Sequence, residues 1–129
     1  MKQEDKELLL SYLSMALPYK IKVCLYEKET CILLGIDGYE VYLDVDSDSF
    51  RIESIKPYLR PMSSMTEEEV MEFNNIPSTR NYQIVNGDLP WDVANYKQIQ
   101  WLLKKHFDFM DLIAKGLALE ASEENNPYK

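Results

Sequence analysis

His106, Asp108 and Asp111 stand as H-x-D-x-x-D in the stretch KKHFDFMD. One imidazole and two carboxylates are the parts of a small divalent-metal site, or of a general base with acid partners. A hydrolytic zinc site presents three protein ligands. Here that would require a sharp turn to bring both carboxylates beside the single histidine of the chain. A plainer reading accounts for each residue separately. His106 ends one helix, Asp108 caps the next, and Asp111 lies near the positive end of that second helix.

Asp44, Asp46 and Asp48 alternate in LDVDSDSF, which suggests a calcium loop. Such a loop needs glycine at its sixth position and a bidentate glutamate at its twelfth. Counted from Asp44, those positions hold Ser49 and Ile55. The stretch reads instead as a hairpin loop, Asp46 to Ser49, between strands that pair Val45 with Phe50. Ser63 and Ser64 lack the strand–turn–helix glycine frame of a nucleophile elbow. The four glycines, Gly35, Gly38, Gly87 and Gly116, are dispersed and cradle no phosphate. No catalytic residue and no cofactor is assigned.

The chain has 129 residues, 46% of them hydrophobic, which suits a single domain with one core. Its net charge is -8, and both halves are acidic. Residues 1–64 carry 8 basic and 11 acidic side chains, and residues 65–129 carry 6 and 11. A general nucleic-acid binder needs a basic surface, and so does docking on anionic lipid. Neither a nucleic acid nor a membrane is therefore expected as a partner. No apolar run approaches the ~20 residues of a membrane span. The start, MKQEDKELLLSYLSMALPYK, opens on charges of both signs, unlike a secretory signal. Two cysteines, Cys24 and Cys31, are too few for a disulfide scaffold. We read a cytoplasmic protein with reduced thiols.

The elements follow from periodicity. Leu8, Leu9, Tyr12, Leu13 and Ala16 predict a helix over 4–16, ended by Pro18. From Ile21 the period becomes two, and four strands follow, each with one face buried. A two-residue turn at Asp37-Gly38 sets Leu34 opposite Val41 and Ile32 opposite Leu43. A turn around Glu27-Lys28 sets Val23 against Ile32, and places Cys24 across from Cys31 on the outward face. IKPYLRP is extended because each proline restricts the residue before it. Thr66 and Glu69 form a capping box for the next helix. Residues 79–85 read as a short strand before an Asn86-Gly87 turn, with Trp91 on the core. Asn95 and Gln98 cap a helix that includes Ile99, Leu102, Leu103 and His106. A short helix runs from Asp108 to Lys115 and stops at Gly116. Residues 117–121 add an edge strand.

The fold class is α+β: an N-terminal helix, a four-stranded antiparallel meander, then two to three short helices packed on one sheet face. Residues 1–121 make a single domain, and 122–129 a polar, frayed tail with Tyr128 as its anchor. Nine tyrosines and two tryptophans exceed what a small core requires. Tyr26, Leu33 and Tyr42, on the outward sheet face, are the interaction candidates.

KPYLRPMSSMTEEE (56–69) and WLLKKHFDFMDLIAKGLALEA (101–121), with the N-terminal KELLLSYLSMALPYKIKV, resemble a group of small proteins. That group is encoded in phage-like and mobile elements of gut Bacteroidales. The resemblance implies a setting, an accessory protein of such an element inside a bacterial cell. It supplies no activity, cofactor or catalytic residue. The expected function is non-catalytic, through a protein partner or a second copy of the chain. The alternatives are a metal-dependent enzyme using His106, Asp108 and Asp111, and an acidic inhibitor that imitates nucleic acid.

Overall fold

A computed structural model of the chain describes residues 1–45, 48–76, 96–122 and 124–128. Helix α1 (Gln3–Ala16) forms on the expected stripe and buries Leu9, Tyr12, Leu13 and Ala16. Strands β1 (Lys22–Leu25), β2 (Glu29–Asp37), β3 (Glu40–Leu43) and β4 (Ser49–Arg51) follow as the antiparallel meander.

The meander is as expected, but its register is not. The β1–β2 turn has three residues, Tyr26 to Lys28, rather than two. Val23 therefore faces Cys31, not Ile32. A slip of one residue exchanges the two faces of a strand. Cys31 and Leu33 point into the core, and Leu34 points out. The β2–β3 turn is also displaced by one, onto Gly38 and Tyr39, with Gly38 supplying the positive φ of 60°. A bulge at Leu34 reconciles the two slips, since the ladder steps from Leu33↔Leu43 to Gly35↔Tyr42. Beyond it Ile36 faces Val41 and packs on the core again. On the other side of β3, Phe50 pairs with Val41 rather than Val45.

β5 (Ile55–Leu59) makes a strand of the segment expected only to be extended. It runs antiparallel to β1, and β6 (Leu119–Glu120) adds parallel to β5. The order β4-β3-β2-β1-β5-β6 puts β4 and β5 four strand spacings apart, although only a 3-10 turn, Ile52–Ser54, joins them. In a flat sheet that gap would be about 19 Å, at ~4.8 Å per strand. Three residues of 3-10 helix rise only about 6 Å. The sheet must therefore curl until β4 and β5 approach, and the Leu34 bulge assists the bend. Two bonds carry the neighbouring ladders, β1–β5 and β3–β4, into the 3-10 turn. Tyr26 N–H donates to the Ser54 carbonyl at 2.9 Å, and Ile52 N–H to the Tyr39 carbonyl at 2.8 Å.

The concave side holds the core: the stripe of α1, inward strand residues, Phe73 of α2 (Glu67–Asn74), and Leu102 and Leu103 of α3 (Tyr96–Lys104). The capping box of α2 forms as expected. Thr66 Oγ1 accepts from Glu69 N–H at 3.2 Å, and Glu69 Oε1 accepts from Thr66 N–H at 3.0 Å. The helix expected over 108–115 is instead a series of turns. Phe107, Asp108, Phe109 and Met110 are all buried, and four consecutive buried residues exceed the single stripe that an amphipathic helix covers. Gly116 (φ 75°) still closes the segment, with Leu117 N–H on Leu112 C=O and Gly116 N–H on Ile113 C=O. The strand over 79–85, the Asn86-Gly87 turn, Trp91 and the Asn95 cap lie outside the described residues, as do Asp46 and Ser47.

Candidate interaction surface

Of the H-x-D-x-x-D residues, His106 and Asp108 are engaged with the backbone. His106 lies past the end of α3 at φ 62°, in the left-handed position that closes a helix. Its N–H donates to Leu103 C=O at 3.1 Å, and Phe107 N–H donates to Leu102 C=O at 2.9 Å. The same segment then joins the end of β5. Arg60 N–H donates to His106 C=O and Asp108 N–H donates to Arg60 C=O, both at 2.8 Å. The Asp108 carboxylate accepts from Leu112 N–H at 2.7 Å and Ile113 N–H at 2.9 Å. Burial raises its pKa above the ordinary aspartate value, while those two amides pull it down. Asp111 is exposed at φ 60°. Among the described residues, no group of three or more His, Cys, Asp or Glu side chains gathers as a metal cluster.

The imidazole of His106 is itself covered. It stacks on the ring of Tyr128, centroids 3.7 Å apart and planes within 9°. Burial, then Arg60 and Lys22, lower its pKa to about 4, so the ring is neutral at pH 7. Tyr128 fixes the tail that was expected to fray. Its hydroxyl donates to Tyr58 C=O at 2.8 Å and accepts from Lys22 N–H at 3.0 Å. Lys22 and Tyr58 stand where the β1–β5 ladder would take its next pair, so the phenol bridges two strands as they part. Lys22 Nζ also donates to Pro127 C=O at 2.6 Å.

Phe107 anchors the turn beside His106. Its ring stacks on Trp101 at 5.8 Å, and the Arg60 guanidinium lies 4.2 Å above it. Arg60 also grips Glu69 through both carboxylate oxygens, at 2.7 and 2.8 Å. That hydrogen bonding, against the cost of burial, holds Glu69 at a pKa of about 2.

Cys24 and Cys31 are free and buried on opposite faces, Cys31 in the main core and Cys24 with Tyr58 and Ala121 beneath the tail. The shifted register overturns their expected pairing, because Val23 faces Cys31 and Cys24 faces Thr30. Asp44 ends up just beyond β3, where it extends the ladder. Its N–H donates to Ile32 C=O at 3.1 Å, and its Oδ1 accepts Ile32 N–H at 2.8 Å.

The interaction candidates divide the same way. Leu33 is only 2% exposed and belongs to the core. Leu34, on the bulge, takes the outward place at 60% exposed. Tyr42 is exposed, and lies across Gly35 so closely that a Cβ there would stand 3.6 Å from its ring. Tyr26, 58% exposed, has left the sheet for the β1–β2 turn and meets Phe50 near-perpendicularly, centroids 6.1 Å apart. Tyr26 (φ 53°) and Glu27 (φ 61°) are consecutive non-glycine residues in the left-handed region. That conformation costs roughly 1–2 kcal/mol per residue. A cleft of about 370 Å³ opens beside this turn, lined by Cys24, Tyr26, Glu27, Glu53, Ser54, Lys56 and Leu119.

Charge concentrates in the same stretch of the chain. Residues 26–53 carry eight acidic and two basic side chains, a net of -6 within a chain of -8. Splitting the chain at its midpoint hides this, because the flanking segments of the first half are basic. Asp37 and Glu40 even stand directly opposite across β2 and β3, an unfavourable like-charge pair. A windowed charge count would have found the segment. Leu34 could not be found from a two-residue turn, since its outward place follows from the three-residue β1–β2 turn, and the bulge after it turns Ile36 back to the core.

No family model, no curated protein and no solved structure matches the chain. No helix among the described residues is long and apolar enough to cross a membrane.

Proposed function

We propose that this chain is a non-catalytic binding module that docks a basic protein partner on the outer face of β2 and β3. In the setting that the sequence resemblance implies, it is a cytoplasmic accessory protein of a phage or integrated element. The observation that carries the reading is Leu34, held 60% exposed on a bulge beside Tyr42 within the acidic segment. An apolar centre with a charged rim is the anatomy of a docking patch. The rim selects against a second copy of the chain, because two such faces repel.

The test uses two tagged baits in lysate of the source cell, the native chain and Leu34→Asp. A stoichiometric basic partner captured by the first and lost by the second, with both baits folded by circular dichroism, supports the reading. A partner indifferent to Leu34→Asp and Tyr42→Asp, or dimerisation through this face in sedimentation, rejects it.

The concentrated carboxylates also favour a second reading, an inhibitor that imitates nucleic acid. The partner would then be a nucleic-acid-binding protein, and duplex DNA would displace it from the chain as salt does.

A further inference from the structure

The cleft beside the Tyr26–Glu27 turn carries chemistry that neither the core nor the sheet needs. It is lined by Tyr26 and Glu27 and by Glu53 and Ser54 from the turn that links β4 to β5, with Tyr26 N–H donating to Ser54 C=O. Cys24 and Leu119 supply the apolar lining. Its volume of about 370 Å³ lies at the small end of ligand pockets, which begin near ~300 Å³.

Of the two carboxylates, Glu27 is the loosely engaged one. Glu27 is 82% exposed and meets Lys56 only at 4.0 Å. Glu53 meets Lys6 at 3.4 Å. Lys56 beside Glu27 and Lys6 beside Glu53 balance the two carboxylates, and Glu27, with its cation 4.0 Å away, is the one open to a closer partner. The surrounding segment, net -6 over residues 26–53, draws cations towards it. Tyr26 adds an aromatic surface, steadied by Phe50 and still more than half exposed.

We infer that this cleft receives an arginine side chain of the docked partner. The inference rests on the protein-binding reading above and names the chemistry that the reading leaves open. A guanidinium is planar and weakly hydrated, so it stacks on a tyrosine ring and forks onto a carboxylate in a way that an ammonium does not. Here Tyr26 offers the ring and Glu27 the carboxylate. The aliphatic stem runs along Leu119 and the Cys24 thiol. The left-handed turn fixes the backbone that carries both residues at the cleft.

The probe is N-acetyl-arginine methylamide, titrated into the full-length ¹⁵N-labelled chain, with the neutral citrulline analogue as control. Saturable amide shifts confined to Tyr26, Glu27, Ser54 and Lys56 are expected for the arginine probe. Binding weakens about tenfold for citrulline, for Glu27→Gln and for Tyr26→Asn, since stacking and a charged contact are each lost. Asparagine tolerates the left-handed conformation, so Tyr26→Asn removes the ring without remaking the turn.

Equal shifts with both probes, or shifts elsewhere on the surface, overturn the inference. The partner assay separates the two claims. A partner that depends on Leu34 but ignores Glu27→Gln and Tyr26→Asn leaves the binding module standing and removes the arginine. Probe binding by a chain with no Leu34-dependent partner rejects the docking reading, and with it this choice of occupant.

Discussion

His106 and Tyr128 lie face to face, 3.7 Å between centroids, and join the end of α3 to the last residues of the described chain. The stack seats the Tyr128 hydroxyl between Lys22 N–H and Tyr58 C=O, where β1 and β5 separate. A residue that composition alone assigns to a polar tail thus completes a ladder in the sheet.

Tyr128→Phe retains the ring and removes that bridge. Two partly buried backbone groups lose their partner, which costs about 1–3 kcal/mol. Tyr128→Ala removes the stack as well and costs more. Urea unfolding of the three proteins measures both differences. Equal stability of Tyr128→Phe and the native chain would show that the hydroxyl is not needed at the strand junction.

Acid should weaken the fold in two windows. The folded pKa of His106, about 4, lies below the unfolded 6.5, so between those values the unfolded chain binds more protons. The stability due to neutral His106 is present above pH 6.5 and is lost as pH falls towards 4. Glu69, at about 2 against 4.5, adds a second loss below pH 4.5. Asp108 opposes both, because its raised pKa favours the fold as it protonates. His106→Asn keeps a side chain that tolerates φ 62° and flattens the first window. The check is urea unfolding at pH 7, 5 and 3 for both proteins, with the imidazole followed by NMR. A midpoint near 6.5 in the folded chain would contradict its covered position.

The register is testable by a pair of adjacent substitutions. Leu33→Ala removes a core side chain and should cost about 2–5 kcal/mol. Leu34→Ala alters a surface position and should stay within ~0.5 kcal/mol. Strict alternation from a two-residue turn predicts the reverse order. Thermal or urea unfolding of the two variants decides which residue faces inward.

The thiols should not pair. Cys24 and Cys31 lie on opposite faces, so mild oxidation with diamide leaves the intact mass without the loss of two hydrogens that a disulfide brings. Burial raises the Cys31 thiol, helped by Glu29 and Asp44, which keeps it protonated and slow to alkylate. Iodoacetamide should label it only once urea opens the fold. Rapid native labelling of Cys31 would contradict its place in the core.

What could be read from the sequence alone was set by neighbours within a few residues of one another. The stripe of α1, the existence of the meander, the Thr66–Glu69 capping box and the Gly116 stop each depend on side chains and amides a turn or less apart. The class of fold follows from these. The tertiary structure decided the register, because Tyr26 and Glu27 adopt a turn that their local preferences disfavour. It also placed Leu34 outside and Leu33 inside, through the slipped β1–β2 register, and returned Ile36 to the core through a bulge. It turned His106, Asp108 and Asp111 from an apparent ligand set into a helix closure, a backbone acceptor and an exposed turn. The bridge from Tyr128 to Lys22 spans 106 positions, and only the assembled sheet brings its ends within hydrogen-bonding distance.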